Sequence, residues 1–102
     1  MLFAVIVERG PAWNWSLPMR RQIQWDEHAG FMDALVDEGF IRAGGPLGGE
    51  DEAARILHIV DADDESAVRD RLKQDPWHHT GMLKVISIEP WTMLLGAVGT
   101  KE

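Results

Sequence analysis

Two residues far apart in the chain, His28 and Asp75, are of the types needed to move a proton. Read at helical spacing, residues 20–38 place Trp25, Phe31, Met32, Leu35 and Val36 on one stripe, and Asp26, Glu27, Asp33, Asp37 and Glu38 on the other. His28 falls in the middle of the apolar stripe. An imidazole aimed into a protein must find a hydrogen-bond partner or line a cavity, because burying an unpaired polar group is costly. Asp75, in the dipeptide Asp75-Pro76, is the partner this reading selects. A carboxylate bonded to one ring nitrogen fixes the tautomer and leaves the other nitrogen free to take or give a proton, which makes a general base near neutral pH. Each residue also has a plainer account. A lone histidine on an apolar face is often a satisfied core residue, and an aspartate before proline commonly just shapes a turn.

Other side chains bear on the same site. Trp25 and Trp77 flank the pair in sequence and suit the walls of a pocket for a planar ligand, although as core aromatics they need no ligand. Arg20 and Arg21 open the first helix, where cations oppose the dipole; a bound anion would justify one of them, and a solvated helix end accounts for both. Gly44, Gly45 and Pro46 lack the Gly-Lys-Ser or Gly-Lys-Thr of a phosphate-binding loop, so their role is a close approach of backbone to a neighbour or ligand. Ser16, Ser66 and Ser87 lack a nucleophile elbow, which favours proton abstraction, elimination or isomerisation over acyl transfer. His78 and His79 would diverge in regular structure, and no His-x-x-x-His spacing supports a metal. No metal and no cofactor are assigned.

Composition narrows the class. At 102 residues and 45% hydrophobic, the chain is expected to be one domain over 1–102. Its 17 Asp and Glu against 10 Lys and Arg would repel a phosphate backbone, so nucleic acid is not an expected partner. There is no cysteine, hence no disulfide, thiolate chemistry or Cys-based zinc site, and a reducing compartment is compatible. The apolar run 2–7 meets Glu8 too soon for a signal segment or membrane span, so no membrane partner is expected and the cytoplasm is the default location. The Asn14-Trp15-Ser16 sequon is then a chance match.

The elements that must position the site follow from periodicity. Residues 2–7 read as a buried strand. The segment 11–18, with Trp13, Trp15 and Leu17, is too apolar for a solvated loop and should fold over the body or the mouth of a cleft. The first helix ends at Gly39. Residues 40–43 form a second strand that runs into Gly44-Gly45-Pro46-Leu47, and 54–60 form a third. Asp63 or Asp64 caps a second helix with Ala67, Val68 and Leu72 inward, and Pro76 stops it. Residues 82–89 make the last strand, followed by a tail through Met93, Leu94 and Leu95 that ends polar at Lys101-Glu102. Strand, helix, strand, strand, helix, strand is the ferredoxin-like βαββαβ pattern of an α+β protein: a four-stranded antiparallel sheet with two helices on one face. The first and third strands are apolar on both faces, so something must cover the second face. In so short a chain the expected cover is the sheet of a second copy, giving a homodimer.

The order of these features resembles a known family. An initial strand, a helix carrying His28-Ala29, the Gly44-Gly45-Pro46-Leu47 strand exit, Asp75-Pro76-Trp77, Gly81 and a last strand ending Glu89-Pro90-Trp91 are together similar to the YCII-related proteins, from about Leu2 to Trp91. The resemblance implies a dimeric α/β-barrel of ferredoxin-like halves, with a site centred on His28 and Asp75. It also implies relatives that act as dehydrochlorinases in aromatic degradation, and muconolactone isomerases that share the fold. The Trp-rich segment between Gly10 and Met19 departs from the short members of the family and leaves the substrate cavity open. The expected function is a lyase, dehydrochlorinase or isomerase acting on a small ligand, with His28 as base, Asp75 as its orienter, and Arg20, Trp25, Gly45, Pro46 and Trp77 around the substrate. The competing expectation is a non-catalytic small-molecule-binding or accessory dimeric module that uses the same cavity.

Overall fold

The computed structural model of the chain describes residues 1–97; Lys101 and Glu102 lie outside the described residues. In chain order the elements are β1 (Leu2–Arg9), a 3-10 turn (Met19–Arg21), α1 (Trp25–Asp37), β2 (Ile41–Pro46), β3 (Arg55–Asp61), α2 (Glu65–Leu72), α3 (Pro76–His79) and β4 (Leu83–Pro90). The sheet order is β2-β3-β1-β4 and every neighbouring pair is antiparallel. This is the ferredoxin-like α+β arrangement, with the first strand central.

Period-two alternation sorts the side chains of β1. Phe3, Val5, Val7 and Arg9 are buried, and the register sets Val60, His58 and Ile56 of β3 opposite the first three. Leu35 of α1, Val68 and Leu72 of α2 and Trp77 of α3 join Phe3, Val5 and Val7 in one core, which places the helices on that single face. The other face carries Leu2, Ala4 and Ile6 of β1 with Leu57 and Ile59 of β3, and the helices leave it uncovered. A bulge shifts the β1–β4 register between Ile6 and Val7, so that Ser87 faces Ile6 while Val85 faces Val7.

Local signals explain the boundaries. Asp64 is the cap of α2, its carboxylate accepting from the Ala67 amide at 2.8 Å. Gly39, at φ 80°, turns the chain out of α1. Three expectations are corrected. The first helix begins at Trp25, because Gln22 is extended and Gln24 is left-handed, so Arg20 and Arg21 belong to the preceding 3-10 turn. Gly44, Gly45 and Pro46 are part of β2, not an exit from it. Pro76 starts α3, which the sequence reading missed, while α2 ends earlier at Leu72. Among the described residues no helix is long and apolar enough to cross a membrane.

Candidate active site

α1 and the start of α3 bring the two proton-handling residues together. His28 Nδ1 lies 2.8 Å from Asp75 Oδ1, with Asp75 wholly buried. The backbone explains how Asp75 is held. Its amide donates to Leu72 O at the end of α2 and its carbonyl accepts from His79 N in α3. Asp75 occupies the N-cap of α3 without capping it, which leaves the carboxylate for the imidazole. Pro76, next in line, has no N–H to compete for it.

Trp77 fixes the ring from the other side. The His28 and Trp77 rings stack with centroids 3.8 Å apart and planes 10° apart, and Trp77 Nε1 donates to Ile23 O at 2.7 Å. Trp13 meets Trp77 edge-on at 5.1 Å and Trp25 lies 5.7 Å from it. Three indoles therefore wall a cavity of about 320 Å³ that His28 borders. Arg20, Gly45 and Pro46 border the same cavity, so the candidate residues of the sequence are gathered at one place, with Asp75 directly behind His28. Arg20 is exposed at the rim, bonded through Nε and Nη2 to the Glu50 carboxylate at 3.1 Å each.

The 11–18 segment is built into this wall. Trp13 is 5% exposed, whereas Trp15 is 54% exposed and Leu17 38%, so the expected folding-over holds for one tryptophan and not for its neighbour. Buried Gln22 holds the segment: its Nε2 donates to Asn14 O and Leu17 O, and its Oε1 accepts from Asn14 N. This amide side chain thus adds to the turn hydrogen bonds of Ala12, Trp13, Ser16 and Leu17 in satisfying the loop backbone.

Among the cavity residues that the sequence did not single out, two polar ones stand out. His58, on the inward face of β3, is 8% exposed and its Nδ1 has no partner among the described residues. Burial pushes its pKa down to about 4, with the nearby His78 and His28 adding to the effect and Asp75 opposing it, so the ring is neutral at physiological pH. Burial also lowers His78, against the pull of Asp75. Arg9, at the inward end of β1, is 6% exposed; Nη2 donates to Glu50 O, while Nε and Nη1 have no partner among the described residues. Its guanidinium carbon lies 4.2 Å from the centre of the Trp13 ring. Carrying the period of two one step past Val7 reaches Arg9, whereas the inward aim of His58, within an apolar strand, follows only from its register against Val5. Among the described residues no group of three or more His, Cys, Asp or Glu side chains is arranged to hold a metal ion.

Comparison with known proteins agrees with this architecture. The chain is similar in structure to a 5-chloro-2-hydroxyhydroquinone dehydrochlorinase from Burkholderia phenoliruptrix AC1100, solved in complex with 2,5-dihydroxybenzoquinone. The TM-score is 0.58 at 24% identity, over 90% of this chain and 94% of that one. No curated protein matches the chain. The YCII-related domain matches residues 1–92, and the chain belongs to that family.

Proposed function

We propose that this protein is a proton-transferring enzyme of the lyase or isomerase type, acting on a small planar ring compound, with His28 as the base and Asp75 as its orienter. The observation that carries the reading is the buried Asp75 carboxylate bonded to a histidine that borders a cavity walled by three tryptophans. An ionised carboxylate accepts and cannot donate, so Nδ1 carries the hydrogen and Nε2 keeps its lone pair. A proton taken from a C–H or O–H of the ring passes to Nε2, and Asp75 stabilises the imidazolium. The electron pair left on the substrate either expels a leaving group, such as chloride, or is reprotonated at another position while Nε2 gives its proton back. Halogenated hydroxybenzenes, the substrate class of the structurally similar dehydrochlorinase, are the first compounds to test.

The working form in this reading is a cytoplasmic homodimer of one-domain chains, with two sheets packed on the face bearing Leu2, Ala4, Ile6, Leu57 and Ile59. Leu94 and Leu95, 86% and 90% exposed, give the tail further apolar surface for a partner to cover. Light scattering at micromolar concentration should find two chains per particle, and a monomer there removes the dimer. For the chemistry, the assay is chloride release from chlorinated hydroxyhydroquinones together with solvent-deuterium exchange into ring C–H positions. Wild type should turn over and His28→Asn should lose at least about a hundredfold while staying folded. Ligands that bind the cavity of the wild type with neither turnover nor exchange would instead identify a non-catalytic binding module.

A further inference from the structure

A buried guanidinium with unpartnered donors beside an open cavity is an uncommon arrangement. Arg9 has it: the donors on Nε and Nη1 are buried and unpartnered among the described residues, and the side chain borders the same cavity as His28. Burying a charge is costly unless an opposite charge or hydrogen bonds compensate it. Glu50, Asp51 and Glu52 favour the charged guanidinium through space and the Trp13 ring lies against it, but the Nε and Nη1 donors stay without a partner among the described residues. The Glu50 carboxylate is taken by Arg20, and Asp51 Oδ1 accepts from the Met19 amide at 2.8 Å. What Arg9 receives from Glu50 is a backbone carbonyl. Two donors of a charged group are thus left unmatched at one end of the cavity.

The sheet sets the distances. Val5, the register partner of His58, and Arg9 lie on the same face of β1, roughly 13 Å apart along the strand at about 3.3 Å per residue. The cavity therefore has a cationic end at Arg9 and, at His58, an imidazole that is neutral at physiological pH. Between them lie the apolar side chains of Val7 and Ile56 on the sheet, with Trp13 and Trp77 above. The chain as a whole carries a net charge of −7, and Asp33 and Glu50 border the cavity, so the pull on an anion comes from the charge-assisted hydrogen bonds that Arg9 still has to give and not from a positive net field.

We propose that Arg9 makes the cavity selective for a planar ring that bears a negative charge, seating the charge at the Arg9 end and the ring between the tryptophans toward His28. This rests on reading the cavity as a small-molecule site.

The test compares benzoate with benzamide, which share shape and differ in charge. Both are titrated into the wild-type protein, with tryptophan fluorescence, the His28 ring signals and the Arg9 Nε–H resonance as readouts. Benzoate should bind about tenfold or more tightly, lose that advantage as salt is raised, and alone move the Arg9 Nε–H signal. Arg9→Gln should bring benzoate to parity with benzamide, and Arg9→Lys should retain part of the preference. Equal affinities in the wild type, an unmoved Arg9 signal at benzoate saturation, or a preference surviving in Arg9→Gln each overturn the role of Arg9. The cavity reading stands in those cases if both compounds still shift His28. If neither compound perturbs His28 or the tryptophans, both readings fall together. Should Arg9→Gln fail to fold, the wild-type comparison and the Arg9 resonance decide alone.

Discussion

Gly44 lies opposite His58 across the β2–β3 ladder, and a β-carbon built on it would sit 2.4 Å from His58 Nδ1. The glycine is required by space and not by backbone angle, because the buried ring fills the place where a side chain would go. Gly44→Ala should cost roughly 1–3 kcal/mol in urea unfolding, since the ring must leave its position or the strands must part. Gly45→Ala, which meets nothing within 4 Å, is the control and should cost much less. Equal losses in the two variants would show that the His58 contact is unimportant.

His58 also sets a pH dependence. Its folded pKa is about 4 and its ordinary value 6.5, so the unfolded chain binds more protons between those limits. Stability is complete above pH 6.5 and falls as the pH drops toward 4, by on the order of 3 kcal/mol for this group. His78, also lowered by burial, acts with the same sign. Urea melts from pH 7.5 to 4 should show the decline, and His58→Phe should flatten it in part. A wild-type curve that rises toward pH 4 would contradict the assignment.

The His28–Asp75 hydrogen bond predicts a tautomer. In the neutral ring the hydrogen should sit on Nδ1, with nitrogen-15 shifts of a free lone pair on Nε2. Asp75→Asn offers an amide in place of the acceptor-only carboxylate and should shift hydrogen toward Nε2 while lowering turnover about a hundredfold to ten-thousandfold. Asp75→Ala should further cost about 1–3 kcal/mol, by leaving the imidazole donor unmatched. Unchanged nitrogen shifts in Asp75→Asn would dissolve the pair.

The two tryptophans of the 11–18 segment should behave differently. Trp13→Ser removes a buried ring that touches Trp77 and Arg9, and should cost roughly 3–5 kcal/mol; Trp15→Ser, half exposed, should cost under about 1 kcal/mol. Gln22→Ala should release the segment, read as faster hydrogen exchange at Asn14 and Leu17, at a cost of roughly 1–3 kcal/mol. Similar losses for both tryptophans would mean that the segment folds differently.

The sequence announced the topology because short apolar runs bounded by turn residues mark the strands and apolar stripes mark α1 and α2, whereas the four-residue α3 is too short to show a period. The pairing of His28 with Asp75 was legible for two reasons: a polar residue on an apolar stripe needs a partner, and the resemblance to the YCII-related proteins pointed to Asp75. Arg9 and His58 were harder to see, because strand ends and apolar runs hide single polar residues whose inward aim depends on register. Gln22 gave no local signal at all. Its role is to bond the backbone of a loop eight residues away, which only the folded chain defines. The start of α1 was misplaced because Gln24 adopts a left-handed conformation that no glycine or asparagine advertised.

The central place of β1 in the sheet has a consequence for biosynthesis. Residues 2–9 leave the ribosome before the strands they pair with, since their two hydrogen-bonding edges are claimed by β3, at residues 55–61, and by β4, at residues 83–90. Until the last of these emerges, the most apolar strand of the protein keeps an open edge, and neither α1 nor α3 has a finished sheet to dock on. Folding of the sheet is therefore held back until residues 83–90 have emerged, with long-range pairings made late and slowly. A nascent chain stalled before β4 should be bound by chaperones and cleaved by protease, and resistance should appear in one step once residue 90 has cleared the exit tunnel.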